Sequence, residues 1–107
     1  MHKSALVIRE RLAKDNPQAY EPDLADSYEN MAILNHTTER FKESEAMYKS
    51  AIAIRERLAK DNSQAYEPGL ARSYNNLAIL YRATQRLAES EVMYNAAVAI
   101  RERLGIK

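Results

Sequence analysis

The chain offers little to catalysis. Its two histidines are His2 and His36. Around His36 no arrangement of carboxylate and hydroxyl resembles a catalytic pair, so it reads as a solvated residue near a helix end. Glu43 and Glu45 stand two apart, as do Glu89 and Glu91. On a helix such residues point to different sides, which suits neither a shared acid/base pair nor a metal site. There is no cysteine, so no disulfide framework and no thiolate ligand, which fits a reducing compartment. With two glycines in the whole chain there is no Gly-rich phosphate loop. The expectation is a protein that is not an enzyme, with no catalytic, cofactor-binding or metal-binding residue and no cofactor.

Charge excludes other classes. Sixteen Lys and Arg against fifteen Asp and Glu leave a net charge of +1, and the two signs are interleaved along the chain. No basic block marks a nucleic-acid partner. No segment approaches 18 uninterrupted apolar residues, and MHKSALVIRERL meets Arg9 and Glu10 too early for a signal-peptide core. A soluble, cytoplasmic chain without a membrane partner is expected.

The elements that position these residues announce themselves by repetition. The stretch IRERL occurs at 8–12, 54–58 and 100–104, always 46 residues apart. Sliding the sequence on itself by 46 gives 54 pairs from Ala5/Ala51 to Leu58/Leu104, of which 37 are identical. Such a period denotes a supersecondary unit that buries its apolar face by stacking on its neighbours. Three prolines and two glycines among many Ala, Leu, Ile, Glu, Arg and Lys make that unit helical. Glu45 with Lys49, and Glu56 with Lys60, are spaced for surface ion pairs of about 0.3–0.5 kcal/mol each. The IRERL charges therefore read as a solvated face.

Leu70, Tyr74, Leu77, Ala78 and Tyr81 recur at steps of three and four, which puts them on one helix face. Leu87, Ser90, Tyr94, Ala97, Ile100 or Arg101, and Leu104 do the same. Pro22 and Pro68 suit the first turn of a helix, and the residue before each is pushed away from helical geometry. Breaks near 38–40 and 84–86 are short enough to force antiparallel hairpins. The second helices end at Asp15-Asn16-Pro17 and Asp61-Asn62, leaving Tyr20 and Tyr66 in a QAYEP connector whose rings pack under the joint. Five helices are predicted, over about 3–15, 22–37, 40–61, 68–83 and 86–104.

Tyr74-x-x-Leu77-Ala78-x-x-Tyr81 followed by Ser90, Tyr94 and Ala97 resembles the tetratricopeptide repeat, and Tyr28, Met31, Ala32, Ser44, Tyr48 and Ala51 match it one unit earlier. Ala32 and Ala78 would let paired helices approach, while Tyr28, Tyr74, Tyr48 and Tyr94 would fill wider gaps between pairs. Glu56 and Glu102 stand where the family often ends the helix with Pro, so the second helix should run on through IRERL. The long period, NNLA and AxxIRERL look most like the kinesin light chain type. Asn35 replaces the Tyr found at Tyr81 and should leave its repeat less well filled.

The resemblance implies an all-α fold, antiparallel helix hairpins stacked as a short right-handed superhelical solenoid. It divides the chain, one domain over 1–107, into a half repeat 1–21 and repeats 22–67 and 68–107. It also implies a protein-interaction scaffold whose first helices line a concave groove for an extended peptide or a partner helix. The groove residues would be Asp26, Glu29, Asn30, Ile33, His36 and Thr37, then Arg72, Asn75, Asn76, Ile79, Arg82 and Ala83. Asn30 and Asn76 lead this set, because an amide offers both donor and acceptor to a peptide backbone and related repeats carry Asn there. Asp26 becomes Arg72 and Glu29 becomes Asn75, which favours a ligand of mixed charge.

Two and a half repeats are few for such an array, so the chain reads as an excerpt of a longer one. Tyr94 and Val98 at one end, and Ala5, Ile8 and Leu12 at the other, would then be uncovered. A self-associating module of a larger signalling protein, joined end to end or as a domain-swapped homodimer hinged at Asp61–Pro68, is the alternative.

Overall fold

A computed structural model describes residues 2–105, without the side chains of residues 2–5 and 17–19. The side chains of His2, Ala5 and Pro17 thus lie outside the described residues. Among those described, five helices account for nearly everything: α1 (His2–Asp15), α2 (Pro17–Thr37), α3 (Phe41–Asp61), α4 (Ser63–Ala83) and α5 (Leu87–Leu104). The fold is all-α and of the tetratricopeptide-like repeat type that the spacing and the resemblance predict. Two compact units divide the chain inside α3, Met1–Ile54 and Arg55–Lys107.

Two helix starts differ from the predicted ones. α2 begins at Pro17 and α4 at Ser63, five residues ahead of Pro22 and Pro68, so QAYEP is helix and both prolines lie inside it. The start signal is Asn16 or Asn62, which joins two helices by itself. The Asn16 amide closes α1 on the Leu12 carbonyl at 2.8 Å, while the Asn16 carbonyl accepts the Tyr20 amide at 3.2 Å. Asn62 repeats this with Leu58 at 3.0 Å and Tyr66 at 3.1 Å. Its side-chain Oδ1 also accepts the Ala65 amide at 3.2 Å, and Pro17 occupies the opening of α2, where a missing amide costs nothing. An interior proline leaves one carbonyl a turn earlier without its donor. Both helices continue through their prolines all the same. Tyr20 and Tyr66 are consequently half-buried helical residues rather than connector residues.

The hairpin breaks fall where predicted, at 38–40 and 84–86. Each is a Schellman closure: the Arg40 amide donates to the Asn35 carbonyl at 2.7 Å and the Glu39 amide to His36 at 3.0 Å. Arg86 to Tyr81 at 2.7 Å and Gln85 to Arg82 at 3.0 Å repeat it. Glu39 and Gln85 take the left-handed residue of this motif at φ 61° and 62° without being glycine. The Arg86 guanidinium lies 4.4 Å from the centre of the Tyr81 ring, a cation–π contact over the corner. Asn35 is buried at the same position and offers no ring; that corner holds an edge-on contact between His36 and Phe41 instead.

Within each unit small residues set the helix spacing. Ala25, Ala32 and Ala51 are fully enclosed, as are Ala71, Ala78 and Ala97 to within 5%. The approach is close enough for the Ser44 hydroxyl to donate to the Ala32 carbonyl at 2.7 Å and for Ser90 to donate to Ala78 at 2.7 Å. Glu45 and Lys49 pair at 2.9 Å, as their spacing predicts.

The IRERL charges are not all solvated, although Glu10, Arg11, Glu56 and Arg57 are exposed. Arg55 is 5% exposed and donates to the Ser73 hydroxyl at 2.5 Å, while Glu56 accepts the Tyr74 phenol rather than reaching for Lys60. In the other unit Arg9 donates to Ser27, and the Tyr28 phenol donates to Glu10 at 2.5 Å. Both pairs span 18 residues, from a second helix to the first helix of the next hairpin. The spacing of charges along one helix could not reveal this, because the partners lie on another helix.

Two outcomes follow. Gly69 sits inside α4, and a Cβ there would meet the Arg55 Nε at 3.5 Å, an ordinary contact. Gly69→Ala should therefore raise stability by about 0.5–1 kcal/mol in chemical denaturation by relieving a helical glycine; a lower midpoint would mean that the guanidinium cannot admit the methyl. Burial, then the hydrogen bond to Glu10 and its charge, pushes the Tyr28 phenol up from 10.0 to about 12, and burial with Glu56 raises Tyr74 likewise. The neutral phenol is the form the fold favours, so this stability is fully present below pH 10.0 and is lost as pH rises through about 12. Melting temperature should fall over that range, with tyrosinate absorbance appearing later than for free tyrosine, and Tyr28→Phe should shrink the change.

Candidate functional site

In the first unit the predicted groove residues lie along α2 with unequal access. Asp26 and Asn30 are exposed, Ile33 is 44% exposed, and His36 is half-buried with its ring 5.7 Å from that of Phe41. Glu29 is enclosed, only 5% exposed. Its carboxylate acts on Tyr48, whose phenol is pushed up to about 12 by burial first and by the Glu29 charge second. Tyr48 is itself 2% exposed. This stretch of α2 therefore presents an exposed amide and an exposed isoleucine beside an acidic group held in the interior.

The second unit differs at the matching positions. Asn75, Ile79 and Arg82 line an open recess of about 140 Å³ between α4 and α5, together with Ala78, Ser90 and Tyr94. These four α4 residues fall one turn apart, so one face of the helix delivers them all. Ser90 and Ala78 form a small-residue floor tied by their hydrogen bond, and this leaves room above them. Ile79 and Tyr94 are each 52% exposed, and Arg82 is exposed. Arg72 is exposed one turn before Asn75, and Asn76 is half-buried outside the recess lining.

The recess thus joins three of the predicted residues, Asn75, Ile79 and Arg82, with Ala78 and with two α5 residues, Ser90 and Tyr94, none of which the groove prediction contains. The signal for those two was their spacing of four along α5, which places both on one face. Spacing alone assigns them to core and gap-filling, because it does not say whether a large residue is covered.

Chemically the recess offers an amide, a guanidinium and a phenol around aliphatic surface. A guanidinium and an amide together can hold a carboxylate or a peptide carbonyl, and the exposed isoleucine and tyrosine can cover an apolar side chain. Among the described residues no three His, Asp or Glu side chains come together to hold a metal ion, and no helix is long and apolar enough to cross a membrane.

The family model for the tetratricopeptide repeat matches residues 24–65 and again 70–104. The two matches begin at Leu24 and Leu70, one 46-residue period apart, and each contains a hairpin with its close Ala/Ser contact. No curated protein matches the chain significantly. Hairpins of this kind, repeated at this period and matched over most of the sequence, place the chain in the tetratricopeptide repeat family.

Proposed function

We infer that this chain is a scaffold for protein–protein interaction, the general role of tetratricopeptide repeats. The chain serves in the cytoplasm and binds a segment of a partner protein on the exposed face of α4, the first helix of the second hairpin. The observation that carries the proposal is the open recess lined by Asn75, Ile79, Arg82 and Tyr94. An apolar side chain of the ligand would enter over Ala78 and Ser90, while Arg82 and Asn75 hold a carboxylate or backbone carbonyl beside it.

Hydrogen bonds to charged groups contribute about 1.5–3 kcal/mol each, so losing Arg82 should weaken binding tenfold or more. Peptides selected from a random displayed library should bind the chain saturably in fluorescence anisotropy. Arg82→Ala and Asn75→Ala should each weaken them with unchanged circular dichroism, while Asn76→Ala, outside the recess, should act less. Failure to select any saturable binder, or equal affinity for all variants, would overturn the reading.

A second reading rests on α5, where Leu87 is 64% and Val92 60% exposed. Such apolar exposure suits self-association into a homodimer. Light scattering coupled to size-exclusion chromatography over a range of concentrations should then show a dimer, and Val92→Lys should return it to monomer. A monomer at every concentration would eliminate this second reading.

A further inference from the structure

The junctions at Asn16 and Asn62 share one backbone shape, φ −144° and ψ 80° at the first and φ −148° and ψ 87° at the second. Its causes differ. Asn16 precedes Pro17, and a proline disfavours helical geometry in the residue before it. In a helix running straight through the junction, the Pro17 ring would also collide with the carbonyl four residues earlier. Asn62 precedes Ser63, which imposes neither restriction. The second bend is therefore held by contacts alone.

Few of those contacts lie at the bend itself. Residues 60–65 are all exposed, so straightening them uncovers no apolar core. The ladder already has helical spacing on both sides, from the Asn62 amide to Leu58 and from the Tyr66 amide to Asn62. Turning Asn62 into helical geometry would align the amides of Ser63, Gln64 and Ala65 with the carbonyls of Ala59, Lys60 and Asp61. Those bonds would replace the single cap from Asn62 Oδ1 to the Ala65 amide. Pro68 adds no new cost, since it already lies inside α4. What opposes straightening is the grip of α3 on α4: Arg55 on Ser73 and on the Gly69 carbonyl, and Glu56 on Tyr74.

A second copy of the chain can supply that grip. We propose that Asn62 and Ser63 form a hinge through which α3 and α4 become one helix over 41–83, and that two copies opened in this way exchange α4 and α5. Arg55 and Glu56 of each copy then hold Ser73 and Tyr74 of the other. α5 travels with α4, tied to it by Ser90 on Ala78 and by Arg103 on Glu67. The bonds between α3 and α4 are remade in the exchanged pair, so the hinge alone distinguishes it from the single chain. Pro17 keeps the first junction bent. This association rests neither on the recess of Asn75 and Arg82 nor on the exposed Leu87 and Val92.

To test this, the full chain is held at millimolar concentration just below its melting temperature, cooled, and separated by size-exclusion chromatography with light scattering. A dimer is expected that persists on dilution, because reversal requires α3 and α4 to part. Its amides at Ser63, Gln64 and Ala65 should exchange with deuterium at least tenfold more slowly than in the monomer, where they lie outside the helical ladder. Asn62→Ala removes the cap and favours helix, so it should raise the ratio of dimer to monomer at least tenfold. Ser63→Pro copies the first junction and should abolish the dimer with circular dichroism unchanged, since proline suits the first position of α4. Val92→Lys should leave the dimer intact. Absence of a dimer in both the wild-type chain and Asn62→Ala would overturn the proposal. So would a dimer that Ser63→Pro leaves intact, or one whose amides at 63–65 exchange as fast as in the monomer, since association would then run through another surface.

Discussion

The buried guanidinium of Arg55 is the constraint around which the second unit is arranged. Removing an arginine from water costs several kcal/mol unless its donors find partners. Here the Ser73 hydroxyl and the Gly69 carbonyl supply them from one face of α4. These partners fix the register between α3 and α4, because a shift of one residue along α4 would move the serine off the guanidinium and leave charge in the interior. Glu56 and Tyr74 secure the neighbouring position with a carboxylate and a phenol. Apolar contacts alone tolerate small slippage. A hydrogen-bonded charge does not.

Two further devices make the arrangement repeatable. A single asparagine ends one helix and starts the next, so second and first helices are joined with no slack. Within hairpins, three-residue Schellman corners reverse the chain, and the close approach that follows is set by alanines and by serine hydroxyls turned onto alanine carbonyls. Small residues therefore govern distance and polar pairs govern register. The division of labour explains why Ala32, Ser44 and the Arg-Glu pair all recur at the same period while surface positions drift.

Drift at the surface changes what each repeat presents. The paired positions Glu29 and Asn75 share a place in the repeat, yet one is enclosed beside a buried tyrosine and the other lines an open recess. Tyr48 and Tyr94 diverge in the same sense, from 2% to 52% exposed. The two copies of the repeat thus present different chemistry by differing in which side chains are covered.

The sequence alone determined the repeat, the five helices, the hairpin corners and the family, because these follow from local periodicity and from residue types at fixed spacings. It also placed Asn75, Ile79 and Arg82 on the first helix of their hairpin, where the structure finds them lining one recess. Tertiary structure decided the rest. Whether Pro22 and Pro68 began a helix or lay inside one depended on Asn16 and Asn62, whose backbone groups close one helix and open the next at 17 and at 63. Whether the IRERL charges met water or protein depended on Ser27, Tyr28, Ser73 and Tyr74, each 18 residues away along the chain. Periodicity reports which face of a helix a residue occupies, but only the packed neighbour determines whether a charge on that face is solvated, paired or enclosed.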